Sequence, residues 1–352
     1  VTWPTLKVIR PAEIGATELT SSTVQEVAPA TYNSGTAYAI NNTVSELSGT
    51  NNTTANVYRS LQNANTNHTP STSPLWWTFL GQTYVAYNAG TSYDSTARIA
   101  DATSHLVYES IQNANLGQSI LDTTFWVEVG PTNKYAMFDE VNTTASSAGG
   151  SIVVTVAPAG RIDSVALFNL EAATVHIVSS TSGYDETYDL TETSGIDNWY
   201  SWFFEPITRR KQLIVSDIPA YLDPTITVTI DNGTDIASVG TMIVGQALDF
   251  GMTLADSNSG ILSYSKIDAN QWGDYTITRR KSVKKISLQV VVDNAIVDKV
   301  RDQLGDFDAI PTAWQGTEDF SALAVYGIYR NFTIAFSYPT QSVCSLDLEG
   351  LT

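Results

Sequence analysis

A single cysteine, Cys344, stands among 352 residues, so no intrachain disulfide framework is possible and the redox compartment stays open. Histidine is nearly as scarce. His68, His105 and His176 fall at no metal-ligand spacing and, with Cys344 remote, signal neither a zinc site nor a Cys–His dyad. Positive charge is short as well: 18 Lys and Arg face 36 Asp and Glu, a formal net charge of −18. That balance argues against nucleic acid or an anionic membrane as partner, because neutralising phosphate takes clustered cations. No apolar run approaches the roughly 18–20 residues of a membrane helix, so membrane insertion is not expected. The opening Val1-Thr2-Trp3-Pro4 lacks the charged and apolar regions of a signal peptide; the expectation is an initiator methionine removed. Also absent are the Gly-x-Ser-x-Gly elbow, the P-loop and the Rossmann fingerprint. Asp256-Ser-Asn-Ser-Gly260 has neither the oxygen spacing nor the closing glutamate of a calcium loop. Carboxylates are plentiful, which leaves a glycosidase pair open by residue type. Yet Asp139-Glu140 and Asp185-Glu186 are adjacent and on a strand would point apart. The expectation is a non-enzymatic protein without cofactor or metal.

What is present is a chain 43% apolar and 10% aromatic, long enough for several domains with real cores. Short alternating runs separated by turn residues recur, and Ser151–Val156, Ser164–Phe168 and Thr174–Val178 read as strands. Thr225–Ile230 alternates without a break, then meets Asp231-Asn232-Gly233 and a second run, Ile236–Val239. This predicts a hairpin, since Asn-Gly tolerates the positive φ of a type I′ turn. One segment predicts a helix, Asp293–Leu304, with Asp293 as cap, Ile296, Val300 and Leu304 on one face, and Gly305 at the stop. Strand-like runs flank it at Ile286–Val292 and Leu323–Tyr326. The fold class expected is mainly β and multidomain: two small aromatic β modules, a β-sandwich, and a C-terminal α+β segment with one helix.

The modules are read from an internal repeat. Tyr32-Asn-Ser-Gly-Thr-Ala-Tyr38 recurs as Tyr87-Asn-Ala-Gly-Thr-Ser-Tyr93, and Val57-Tyr-Arg-Ser-Leu-Gln-Asn-Ala-Asn65 as Val107-Tyr-Glu-Ser-Ile-Gln-Asn-Ala-Asn115. Each copy ends in an aromatic pair, Trp76-Trp77 or Phe125-Trp126, followed by Gly81 or Gly130. In a unit of about 50 residues, aromatic rings supply most of the buried area. Neighbours along a strand face opposite sides, so one member of each pair is expected to anchor the core and the other to offer a flat apolar face. The division expected is an arm over 1–28, copy one over 29–82, copy two over 83–131, a connection over 132–145, a sandwich over 146–256 and an α+β assembly segment over 257–352, the last two separate or packed as one.

The order Tyr-x-x-Gly, Val-Tyr-x-Ser-Leu-Gln, then a proline-rich approach to Trp-Trp resembles the chitin- and cellulose-binding modules of carbohydrate-binding families five and twelve. The resemblance covers about residues 29–81 and 84–130. It implies sugar contacts at Trp76, Trp77, Tyr58 and Asn63 in copy one, and at Phe125, Trp126 and Tyr108 in copy two. The tryptophan those modules carry ahead of Tyr-x-x-Gly is missing here, and copy two lacks the counterparts of Pro70 and Pro74. Ser21–Glu26, Val129–Asp139, Ser263-Tyr-Ser265, Tyr275–Lys281 and the closing Ser345–Gly350 are similar to segments of tailed-bacteriophage virion proteins, tail or baseplate components that carry such modules ahead of a β-rich body. That resemblance implies a virion location, with further copies of the chain, neighbouring tail proteins and a bacterial surface glycan as partners.

Two features fit assembly. The run Trp199-Tyr-Ser-Trp-Phe-Phe204, with Trp199, Tyr200 and Trp202, reads first as core and second as a subunit interface. Cations gather at Arg209-Arg210-Lys211, Arg279-Arg280-Lys281 and Lys284-Lys285, either as strand-edge protection or as contacts with acidic neighbours. The reading is a structural tail or baseplate protein that assembles through its C-terminal body and displays two modules. A secreted, extracellular, non-catalytic carbohydrate-binding protein is the alternative, and a glycan-degrading enzyme a third.

Overall fold

A computed structural model describes residues 4–192, 198–204, 206, 208–269, 271–318, 320–336 and 338–351, without the side chain of Ser201. In chain order, β1 (Thr5–Pro11) and β2 (Leu19–Ser22) come first. Next are β3 (Thr43–Ser48), β4 (Thr54–Ser60) and β5 (Trp77–Tyr84), then β6 (Arg98–Asp101), β7 (Leu106–Ser110) and β8 (Trp126–Pro131). The body continues with β9 (Ser146–Val156), β10 (Ser164–Phe168), β11 (Thr174–Ser179), β12 (Tyr184–Asp189), helix α1 (Trp199–Phe204) and β13 (Gln212–Val215). It runs on through β14 (Ile226–Val239), β15 (Thr241–Thr253), β16 (Asn258–Ser263), β17 (Lys266–Ala269), β18 (Tyr275–Thr278) and β19 (Ser282–Asp293). Helix α2 (Val297–Gly305), β20 (Thr312–Gln315), β21 (Ala324–Ala335) and β22 (Gln341–Gly350) complete it. The protein is mainly β, with several sheets and one helix longer than two turns.

Nine strands line up as β13-β10-β15-β1-β20-β21-β22-β19-β16, and β15 pairs a second time with β19 at Met252–Val291 and Thr253–Val290. Six strands, β15-β1-β20-β21-β22-β19, therefore close into an antiparallel barrel, and closure removes the open edges that such long strands would expose. Leu6, Val8, Ile286, Leu288, Trp314, Leu346 and Leu348 fill it, and Val297, Val300 and Leu304 of α2 join the same core. A second sheet, β12-β11-β14-β9-β2, packs on the β13-β10-β15 wing as a sandwich. Alternate residues of β9 and β14, namely Ile152, Val154, Val156, Ile226, Val228 and Ile230, meet Val165, Leu167, Leu213 and Val244 across it. That period of two is what a sheet buried on one face requires.

The sandwich and the α+β segment share a strand. Met242 and Val244 of β15 lie in the sandwich core and Phe250 of the same strand in the barrel core. No break falls at residue 256. The stretch read as an arm carries β1, paired between β15 and β20, and β2, paired with β9; residues 1–3 lie outside the described residues. Both modules are thus an insertion between β2 and β9, two strands that pair with each other.

Three local expectations change. Residues 226–239 make one bulged strand instead of a hairpin: Ile226–Asp231 and Ile236–Val239 pair in turn with the same partner, β9. Asp231-Asn232-Gly233 does turn, with Gly233 at φ +68 and its N–H donating to the Asp231 carboxylate at 2.7 Å. The turn forms an excursion because both flanking runs bury side chains along one partner, and the register shift opposite falls at Gly149–Ser151. The long helix begins at Val297, later than expected. Asp293 ends β19, accepting from the Ala295 N–H at 2.9 Å, and the buried face is Val297, Val300 and Leu304, with Ile296 exposed. Finally, the aromatic run 199–204 is no core: α1 leaves Trp199 78% and Trp202 63% exposed.

Candidate functional site

Each module is built around three rings. Tyr32, Tyr38 and Trp77 meet at centroid distances of 5.8, 5.9 and 5.2 Å. Tyr87, Tyr93 and Trp126 meet at 6.2, 5.9 and 5.3 Å, with both tryptophans edge-on to the tyrosines. Strand order is the same, β3-β4-β5 and β8-β7-β6, with the last-formed strand beside the middle one in each. The repeated polar residues hold the frame. The Asn33 and Asn88 side chains accept from Gly35 and Gly90 N–H at 2.9 and 2.8 Å, fixing the Tyr-x-x-Gly turn. Buried Asn65 and Asn115 donate to Ser60 and Ser110 at 3.0 and 3.1 Å. Trp77 Nε1 donates to the His68 carbonyl at 2.7 Å and Trp126 Nε1 to the Gln118 carbonyl at 3.3 Å.

This accounts for most residues singled out as sugar contacts. Trp77 and Trp126 are 2% exposed and serve as core. Tyr108 is buried, and Asn63 accepts from the Ile40 N–H at 3.0 Å, holding the loop that leads into β3. Half-buried Tyr58 packs on Phe79 at 5.5 Å, and its hydroxyl is pushed above the usual phenol range by burial, with the Glu46 charge adding to the effect. Half-buried Trp76 lies just ahead of β5 and stacks flat on His68, 3.8 Å between centroids at 11°. His68 Nδ1 in turn lies 3.1 Å from the Asn65 carboxamide oxygen, so the stack is anchored to the module frame. Among the described residues no ring contact joins Tyr58 to Trp76, so the two do not form one surface. Copy two has Gln118 and half-buried Phe125 in place of His68 and Trp76. His68 was not foreseen as a site residue; its position just after the repeated Asn65 block, where copy two has glutamine, was the available signal.

The modules are fastened to the body. A Cβ on Gly149 of β9 would sit 1.9 Å from the Phe79 carbonyl oxygen, so only glycine lets β5 lie this close. At copy two, the Glu26 carboxylate meets His105 Nδ1 at 2.6 Å and Lys134 Nζ at 3.5 Å, and His105 stacks on Tyr135 at 3.9 Å.

The assembly candidates are spread over the body. On α1, Trp199 stacks on Phe203 at 6.1 Å and Tyr200 meets Phe204 tilted at 4.9 Å, one turn apart, so the rings pair along the helix while all four face solvent. Arg209 donates to the Asn232 carboxamide and Arg210 to the Asp189 carbonyl at 2.5 Å, which commits both to the body's own loops. Lys284 is half-buried and donates to the carbonyls of Ser321 and Ala324, each at 2.8 Å; burial lowers its pKa. Arg279, Arg280 and Lys281 are exposed, and among the described residues their charged ends make no ion pair. No three His, Cys, Asp or Glu converge at metal-binding geometry among the described residues. No family model and no curated protein sequence matches the chain.

Proposed function

We propose that this chain is a structural component of a bacteriophage tail or baseplate, assembling through its barrel-and-sandwich body and carrying two carbohydrate-binding-like modules for contact with a bacterial surface glycan. One observation carries the assembly part of the reading. The body turns large apolar side chains to solvent along α1 and the β17–β18 hairpin, Ile267, Trp272 and Tyr275 among them, whereas Trp77 and Trp126 at the module centres are buried. Exposed apolar patches of this kind mark association surfaces. The sugar part rests on Trp76, the one tryptophan of copy one that keeps partial exposure, held flat by His68. A flat indole suits the apolar C–H face of a sugar ring, and weak single-site affinity becomes effective when many copies are displayed together.

Electron microscopy of the purified full chain tests the assembly part: rings or tubes of regular copy number are expected. Dispersed single particles at all concentrations favour the secreted binding protein instead. For the sugar part, the intact protein on a glycan array gives signal that Trp76→Ala removes and Phe125→Ala leaves in place. An unchanged signal in Trp76→Ala, or a silent array, rejects glycan display.

A further inference from the structure

The β17–β18 hairpin pairs Ile267 with Ile277 and Ala269 with Tyr275, while Lys266 lies opposite Thr278 and Asp268 opposite Thr276. Directly opposed residues share a face and alternate along a strand. The hairpin is therefore two-faced, with Ile267, Ile277, Ala269 and Tyr275 on one side and only polar or charged residues on the other. All eight are exposed. A free two-stranded ribbon is marginal in water, and this sequence has the pattern of a strand pair covered on one face. At its root stand Arg279, Arg280 and Lys281, exposed and free of ion pairs among the described residues. The triplet Arg209-Arg210-Lys211 also lacks an ion pair among the described residues, but its two arginines are tied to the body's own loops through Asn232 and the Asp189 carbonyl, which leaves the hairpin root as the triplet open to a partner.

Elsewhere in the body lies an open cleft of about 930 Å³ between the end of β1, the segment Phe138–Glu140 and the loop after α2. Five carboxylates line it, Glu13, Glu18, Asp139, Glu140 and Asp306, against one cation, Arg10. Glu18 is tied to Gly15 N–H at 2.9 Å and Asp139 to Val141 N–H at 2.9 Å, whereas Glu13, Glu140 and Asp306 are exposed. A second observation points to a ligand here. Tyr326, only 5% exposed, lines the cleft, and its hydroxyl has no hydrogen-bond partner among the described residues. Burial, with the charges of Glu140 and Asp139 adding to it, raises its pKa. An unused phenol oxygen, aromatic walls at Phe138 and Phe307, and excess carboxylate suit a guanidinium, which donates in its plane and stacks on rings.

We propose that this cleft receives the Arg279–Lys281 root of the hairpin from a second copy of the chain, so that the hairpin's apolar face is covered by the neighbouring body. The hairpin and the cleft are different patches, so the contact is head-to-tail and closes into a ring or continues as a filament according to its rotation. The inference deepens the assembly reading and rests on it.

The test mixes two full-length proteins, one carrying Lys281→Cys and the other Glu140→Cys, under mild oxidation; the native Cys344 is buried. A disulfide-linked dimer is expected from the mixture, well above the yield from Lys299→Cys mixed with Glu140→Cys, since exposed Lys299 sits on α2 and belongs neither to the hairpin nor to its root. In parallel, Arg279→Glu with Arg280→Glu is expected to weaken self-association at least tenfold, and Glu13→Lys with Glu140→Lys in the partner to restore it. Equal cross-linking in both mixtures, or charge-reversed protein that associates like the parent, overturns the cleft assignment. If association then still depends on Ile267 and Ile277, assembly stands with a different acceptor. A parent chain that stays monomeric removes both.

Discussion

In the modules Tyr32, Tyr38 and Trp77 close on one another, as do Tyr87, Tyr93 and Trp126, and each indole N–H finds a backbone carbonyl. In the body, α1 and the β17–β18 hairpin are also rich in rings, yet Trp199, Tyr200, Phe203, Phe204 and Tyr275 face solvent. Aromatic content alone does not separate these two uses. What does is the partner: in each module two tyrosines and a tryptophan pack on one another inside the repeat, while on α1 the rings pair along the helix and still face solvent. Inward rings stabilise a fold; outward rings of this density ask for a second molecule.

The difference is sharpest in stability. Trp77→Ala or Trp126→Ala is expected to cost about 3–5 kcal/mol, the range for removing a buried large aromatic, and to unfold its own module while the other melts as before. Near-UV circular dichroism of the full chain during heating checks this. Trp199→Ala and Trp202→Ala are expected to stay within about 0.5 kcal/mol of the parent. Loss of several kcal/mol in either α1 variant would mean that α1 is packed after all. Nearly as large is the effect expected at the barrel. Val300→Asp buries an unpaired charge among Leu288, Trp314 and Leu346 and is expected to cost about 3–5 kcal/mol, whereas Ile296→Asp, one turn earlier and exposed, is expected to be near neutral.

How much of this was legible in the sequence follows the range over which each feature is decided. The strands at 151–156, 164–168 and 174–178 and the helix turn containing Val300 are local patterns and were readable. The ring geometry of the modules was foreshadowed by repetition, because equal blocks in equal order build equal cores. Barrel closure was not readable. β1 pairs with β15 and β20, more than two hundred residues away, and nothing in Thr5–Pro11 names those partners. The Asp231-Asn232-Gly233 turn signal was present in the sequence and forms in the structure, yet a common partner strand, β9, kept the chain running in one direction. At the site, Trp76 and Trp77 were separable by alternation, but His68 acquires its role only through a stack that spacing does not announce.

A smaller effect is expected at the β17–β18 hairpin. Ile267→Asp with Ile277→Asp leaves stability within about 0.5 kcal/mol, since both side chains are exposed, yet lowers self-association at least tenfold, as gel filtration with light scattering reads out. Smallest is a pH effect in the acidic cleft. Burial holds the half-buried Asp139 carboxyl above the usual carboxylate range, outweighing the hydrogen bonds from Thr144 and Val141. Folding therefore takes up a proton there. The stabilising contribution is full below the ordinary aspartate pKa and is lost as pH rises through the raised folded value. Its slope is at most about 1.4 kcal/mol per pH unit for one proton. Urea titrations between acid and neutral pH are expected to show this slope in the parent and not in Asp139→Asn.

The most direct test of the central claim, that the outward apolar faces of the body exist to be covered by other copies, is sedimentation velocity of the intact chain over a wide concentration range. Run beside Ile267→Asp with Ile277→Asp, the account predicts concentration-dependent oligomers for the parent and a single monomer boundary for the variant. A parent chain sedimenting as a monomer throughout, with its apolar hairpin face still open to water, would contradict it.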